Sequence, residues 1–158
     1  MILKIKHLFN RLNLAPLFFI CLVIKFILSG LFGKIVSFLF PNQLEHSLSK
    51  LPAYESFAAA VVFAPFFETL IFQLLLFFAG GKLRLSNSQI VIISSILFAI
   101  SHDTSFAYVI LTLLSGLFYN IVYLHIKEKY ETVVAFFFIV GIHAVYNFLV
   151  WLNLIFIK

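Results

Sequence analysis

Three long apolar stretches of this chain each carry a side chain suited to acid–base chemistry. Glu68 lies in AAAVVFAPFFETLIFQLLLFFA, His102 ends SQIVIISSILFAISHD, and His143 lies in TVVAFFFIVGIHAVYNFLVWLNLIFI. Hydrocarbon excludes such groups unless they face a partner or water. Glu68 is the only acid inside an apolar stretch; Glu45, Glu55, Asp103, Glu128 and Glu131 lie in or beside loops. A single carboxylate with two imidazoles can take a proton from water and deliver it to a leaving group. His143 and Asn147 stand at i and i+4, so both project from one helix face. Such a pair can hold a water, a metal or an oxyanion, and an asparagine amide is a good oxyanion donor. The plain alternatives are a glutamate satisfied by a neighbouring helix and a helix-end histidine that is merely hydrogen-bonded. His7, His46 and His125 fall near loops or termini and read as surface residues.

The elements that must position these groups are membrane helices. The chain has 158 residues, is 63% hydrophobic and only 11% charged, and its mean hydropathy is +1.13. A water-soluble domain of this size could not hide that much apolar surface, so lipid is the solvent. The expected fold is one all-α domain over 1–158, a polytopic transmembrane bundle of about five helices. Apolar runs cover roughly Leu14 to Phe40, Pro52 to Gly80-Gly81, and Thr132 to Ile157, with the glycine pair serving as a helix stop. Ser88 to Ile126 is too long for one span. Ser101-His102-Asp103-Thr104-Ser105 divides it in two, with Asp103 or Thr104 as cap of the second helix. This penultimate hairpin could be partly re-entrant.

If the helices alternate, Lys4, Lys6, Arg11, Lys82, Arg84, Lys127 and Lys129 fall on one side, and Lys50 and Lys158 on the other. The positive-inside rule then places the N-terminus in the cytoplasm. At about 1.5 Å per residue, Glu68 and His143 lie about 17 Å from the nearer helix ends, and His102 about 20 Å from Ser88. All three share a depth near the midplane. Pro65, three residues before Glu68, leaves the carbonyl of Val61 without a helical donor and bends the helix, making room for water. The net charge of +5 is no nucleic-acid footprint, because the basic residues gather at segment ends. The lone Cys21 reads as packing, and the 22 phenylalanines as lipid-facing bulk. No cleavable signal, repeat or linker is evident.

Read together, E-T-L-I-F-Q at Glu68 to Gln73, F-A-I-S-H at Phe98 to His102, and H-A-V-Y-N at His143 to Asn147 resemble the three motifs of the CPBP family. These are the CAAX protease and bacteriocin-processing, or Abi, intramembrane proteases, whose motifs run EExxxR, FxxxH and HxxxN in this order on separate helices. The resemblance covers roughly 51–151. It implies that Glu68 and His102 activate the attacking water, while His143 and Asn147 bind the peptide carbonyl and its oxyanion. It also implies a peptide or protein substrate at the membrane, prenylated or small, cut in peptide maturation or bacteriocin self-immunity, in a bacterial cell membrane.

Two positions depart from the pattern: Thr69 replaces the second glutamate and Gln73 the arginine. Both charges of a possible i, i+4 ion pair are absent together, which leaves a neutral pair able to hydrogen-bond. The change reads as a swap of scaffold with the chemistry kept; the alternative is an inactive member of the fold. Glu68, His102 and His143 also have the ligand types of a zinc site. As a ligand, Glu68 would leave no carboxylate to act as base, so a base without an obligatory metal is favoured, with zinc the alternative.

Lys25 lies mid-way along the first helix, and Lys25, Ser29, Gly33 and Ser37 form a small stripe at successive i+4 steps. The stripe could line the cavity, with Lys25 supplying the positive charge that Gln73 lacks. The alternative is a snorkelling lysine that reaches an interface. Tyr119, Asn120, Tyr123 and Tyr146 are further candidates for the lining. Among functions, intramembrane proteolysis leads. A non-catalytic scaffold or immunity factor and a small proton-coupled transporter are the competitors, although five spans without an inverted repeat are few for a transporter. Dimerisation could complete so small a bundle.

Overall fold

The computed structural model describes residues 13–41, 43 and 51–156, and these residues form five helices and no strand. We number them α1 (Leu14–Leu39), α2 (Ala53–Lys82), α3 (Asn87–Ile100), α4 (Phe106–Lys129) and α5 (Thr132–Phe156). All but α3 are long and apolar enough to cross a membrane. At 14 residues, α3 reaches only about 21 Å, short of a core about 30 Å thick. The bundle is therefore four full-length helices and one short one; in the α3–α4 turn His102 is partly buried, while Ser101, Asp103 and Thr104 are exposed. Lys4, Lys6, His7, Arg11, Glu45, His46, Lys50 and Lys158 lie outside the described residues.

The helix ends follow local chemistry. Ser86 and Gln89 form a reciprocal capping box at the start of α3. Ser105 caps α4, its Oγ accepting from the Tyr108 amide at 3.1 Å. Neither Asp103 nor Thr104 does this, because Ser105 is the residue left in extended backbone just before the first helical turn. The helix α2 does not stop at Gly80-Gly81. It runs on to Lys82 and ends in a Schellman turn, with the Leu85 amide on the Gly80 carbonyl and the Arg84 amide on the Gly81 carbonyl. Arg84 takes the left-handed position, at φ 58°. Gly80 serves packing instead: a Cβ there would stand 2.6 Å from the Ile90 side chain of α3.

The buried core joins Leu17 and Cys21 of α1, Phe77 of α2, Ile90 and Val91 of α3, Tyr119, Tyr123 and Ile126 of α4, and Ala135, Ile139 and Ile142 of α5. Cys21 is plain packing there. Phe19, Phe38, Phe78 and Phe137 face outward, as lipid-facing bulk should, but Phe77, Phe98, Phe136 and Phe138 are buried. His125 is only half exposed on α4, so it is no ordinary surface residue.

The helix α2 is irregular where it matters. Ala58–Phe63 and Thr69–Leu75 are π-helical and flank a short α-helical segment, Ala64–Glu68. In the first π stretch the Ala64 amide bonds the Ala59 carbonyl, five residues back. The next amide in that register would serve Ala60, but residue 65 is proline and has no N–H. The orphaned carbonyl is therefore that of Ala60, not Val61, because the register has widened by one residue. Single π turns of this kind often mark functional sites.

Candidate active site

Glu68 sits between the two histidines. Its Oε1 is 3.5 Å from His102 Nε2 and its Oε2 is 3.7 Å from His143 Nε2. Three elements make this contact: the α-helical segment of α2, the turn that ends α3, and the middle of α5. Sequence positions up to 75 residues apart are thus brought to one carboxylate. Both gaps exceed a good direct hydrogen bond and suit a water shared between the groups.

His102 is held from behind. Its Nδ1 lies 2.7 Å from the Phe98 carbonyl, and its ring packs on the Phe98 ring at 4.6 Å between centroids. A carbonyl can only accept, so Nδ1 carries the proton, and in the neutral ring Nε2 presents a lone pair to Glu68. Phe98 also meets the His143 and Tyr119 rings, each at 6.4 Å. The aromatic residue of the F-A-I-S-H motif is thus the floor under both imidazoles. His143 is buried and stacks on Tyr119 at 4.7 Å.

Asn147 shares the α5 face with His143. Its Nδ2 donates to the Ala60 carbonyl at 2.8 Å, the group that Pro65 leaves without a helical donor. One of the two amide hydrogens is used there. The other is left for a group in the cavity, which Asn147 lines together with Glu68, His102 and His143. This cavity has a volume of about 920 Å³. Its wall includes Lys25, Ser29, Gly33 and Ser37, so the polar stripe of α1 faces the same space as the acid and the histidines.

Thr69 and Gln73 do not pair with each other. Gln73 Nε2 donates to Asn120 Oδ1 on α4 at 3.0 Å, and Thr69 Oγ1 is buried without a hydrogen-bond partner. The longer amide side chain reaches a second buried amide across the helix interface, which needs a donor more than a nearby hydroxyl does. Asn120 Oδ1 also accepts from Ser94 Oγ at 3.2 Å, and Asn120 Nδ2 donates to Ser95 Oγ at 2.9 Å. This amide–hydroxyl network ties α2, α3 and α4 together just below the carboxylate.

Tyr119 and Tyr146 line the cavity, whereas Asn120 belongs to the network and Tyr123 to the core against Phe77. Lys25 does not snorkel outward: its Nζ donates to Ser29 Oγ at 2.7 Å and to Ser115 Oγ at 2.9 Å. Sequence reasoning missed Tyr108, whose ring stands 5.8 Å from that of His102, and Ser115, which receives Lys25. Neither stands in a motif that could have signalled it. Among the described residues, no three His, Cys, Asp or Glu side chains form a group with metal-ligand spacing.

A family model described as type II CAAX prenyl endopeptidase Rce1-like matches residues 51–149, well over half of the chain. The chain belongs to this family. The matched stretch begins just before α2 and ends within α5, so it contains Glu68, His102, His143 and Asn147, while Lys25 on α1 lies outside it. Four long apolar helices and membership of an Rce1-like protease family make this an integral membrane protein. No curated protein and no solved structure gives a match.

Proposed function

We propose that this Rce1-like protein is an intramembrane endopeptidase that hydrolyses a peptide bond of a membrane-associated substrate, prenylated near the cleaved bond or small enough to enter the cavity. One observation carries the reading: the Glu68 carboxylate lies between the Nε2 atoms of His102 and His143 on the wall of a large cavity.

In this mechanism a water is held between Glu68 Oε1 and His102 Nε2, both of which can accept its hydrogens. Glu68 takes one proton as the water oxygen attacks the peptide carbonyl carbon. The carbonyl electrons move onto the oxygen, where the remaining Asn147 N–H and the Nε2–H of a neutral His143 stabilise the oxyanion. The tetrahedral intermediate then collapses, the C–N bond breaks, and the proton held by Glu68 passes to the departing amine. One water is consumed, and the products are a carboxylic acid and an amine.

Glu68 acts as base without an obligatory metal, because it is the carboxylate between the two histidines and a metal would take it as ligand. The basic residues at the cytoplasmic helix ends support an N-terminus in the cytoplasm of a bacterial cell. Maturation of a peptide or self-immunity to a bacteriocin is the setting that the motif pattern favours.

The test uses purified protein in lipid nanodiscs and a prenylated peptide. Wild type cleaves it and Glu68→Gln lowers the rate by about 10²–10⁴-fold, the usual range for loss of a general base, with unfolding temperature unchanged. Equal cleavage by both proteins ends the proposal. Strong chelation leaves wild-type activity in place; a loss that added zinc restores would make Glu68 a ligand instead.

A further inference from the structure

The cavity that holds Glu68 and the two histidines occupies one half of the bundle. Its lining falls between 25 and 37 on α1, between 51 and 68 on α2 and just before it, between 108 and 122 on α4, and between 143 and 155 on α5; α3 adds only Phe98 and the turn that follows. These are the later parts of α1 and α5 and the earlier parts of α2 and α4, which meet at the end of the bundle where α3 stops. The ring contact of Phe40 with Phe106, at 5.5 Å, sets the close of α1 beside the start of α4 there. The opposite half is packed, with Leu17, Cys21, Phe77, Ile126, Ala135 and Ile139 all buried in it. A smaller groove at that end, about 180 Å³, runs between α2 and α3 and touches neither Glu68 nor a histidine.

The open end is also where water must stand. The helix α3 starts at the packed end and covers about 21 Å, so its last turn stops about 9 Å short of the far edge of a core about 30 Å thick. Asp103 and Thr104, which follow it, are exposed and line the cavity. Polar side chains and irregular backbone at that depth are kept by water, not by lipid. The cavity is thus an aqueous inlet from the open end down to the acid. Charge separates the two ends. Lys82, Arg84, Lys127 and Lys129 belong to the packed end, and Lys34, near the close of α1, to the open one. In the sequence Lys4, Lys6 and Arg11 precede α1 and join the first set, while Lys50 before α2 and Lys158 after α5 join the second. Seven basic residues against three put the packed end in the cytoplasm.

We infer that the catalytic cavity opens to the outer face of the membrane, so that the substrate is a peptide that has already crossed it. Cleavage then follows export: the reaction that supplies the substrate is translocation, and the cut is a maturation step on the far side. This rests on the proteolytic reading for what happens in the cavity, but the side on which the cavity opens does not require cleavage. The packed half, held by the core and by the Gln73–Asn120 bond, is the seal that keeps cytoplasmic water and peptides from the acid.

The test reads the side first and turnover second. The full chain carrying Cys21→Ser, which removes its sole cysteine, receives one new cysteine. Thr104→Cys and Ser37→Cys place it at exposed positions on the cavity wall, and Arg84→Cys places it at the packed end. A membrane-impermeant maleimide is added to right-side-out and to inverted vesicles of a bacterial inner membrane. Thr104→Cys and Ser37→Cys label in right-side-out vesicles and lose the labelling in inverted ones, whereas Arg84→Cys does the opposite. The peptide that wild type cuts in nanodiscs, joined to a hydrophilic carrier protein so that it cannot cross the bilayer, is cleaved outside right-side-out vesicles and not outside inverted ones. Glu68→Gln loses this cleavage. Labelling of the two cavity positions from the cytoplasmic side, from both sides or from neither overturns the inference. Labelling from outside in a protein that cuts no peptide even in nanodiscs would sink the protease and leave the outward cavity standing; cleavage confined to inverted vesicles would do the reverse.

Discussion

Asn147 Nδ2 donates to the main-chain carbonyl of Ala60 at 2.8 Å, and Ala60 is the residue whose carbonyl Pro65 cannot serve. A proline that breaks α2 beside the acid is thus answered by the amide that the proposed reaction needs on α5. The contact fixes the plane of the Asn147 side chain and docks α5 against the irregular part of α2. Structure and chemistry share one amide group, and they can be separated.

Asn147→Ala should lower stability by about 1 kcal/mol, through loss of a buried hydrogen bond, and cleavage by about 10²–10³-fold, through loss of an oxyanion donor. Pro65→Ala restores an N–H to α2, which can then serve the carbonyl. In that background Asn147→Ala should cost markedly less stability while the fall in cleavage persists. Chemical unfolding in detergent micelles, run as a double-mutant cycle, reads the first effect and peptide turnover the second. An equal stability loss in both backgrounds would show that the Ala60 contact does not depend on the proline.

The network beneath the site makes a ranking. Gln73→Leu removes one donor from Asn120 Oδ1, which keeps Ser94 Oγ, so a cost of about 0.6 kcal/mol is expected, the average for a hydrogen bond between membrane helices. Asn120→Leu strands Gln73 Nε2, whereas Ser94 and Ser95 keep the Phe72 and Val91 carbonyls as acceptors, so its cost should reach about 1–3 kcal/mol. Unfolding titrations of the two single variants settle the order. Gln73→Leu proving the more harmful would mean that Gln73 carries the role of the family's arginine by itself.

The helical class and the convergence of Glu68, His102 and His143 were open to reading because each rests on a strong local signal. Long apolar runs have one physical outcome in lipid, and an ionisable group within them must turn inward. Lys25, Ser29, Gly33 and Ser37 were legible as one stripe because α1 is regular. Where the helix departs from 3.6 residues per turn, that logic fails. The carbonyl freed by Pro65 was misplaced by one residue because the helix there is π-helical, which a reading at 3.6 residues per turn does not reveal. The partner of Gln73 was hidden for a related reason: a long amide chooses among neighbours on other helices, and spacing along its own helix says nothing of them. The Gly80-Gly81 pair looked like a stop because glycine is permissive, whereas Gly80 admits Ile90 and an arginine makes the turn.

Gly116 links packing to the site. A Cβ there would lie 3.1 Å from Phe98 Cδ1 and 3.2 Å from Ser95 Cα, so α4 can approach α3 this closely only without a side chain. Backbone on one side cannot yield easily, so the strain of Gly116→Ala falls on the Phe98 ring, which is the floor under His102 and His143. We expect Gly116→Ala to cost about 1–3 kcal/mol, the usual penalty for overpacking, and to slow cleavage more than the small loss of folded protein explains. Gly30→Ala on α1 is the control. A Cβ there meets nothing within 4 Å, so the same change should be neutral or stabilise the helix by up to about 1 kcal/mol. Unfolding temperature and turnover of the two variants, measured side by side in nanodiscs, check the pair. Equal effects at both glycines would mean that the close approach of α3 and α4 does not hold Phe98 in place.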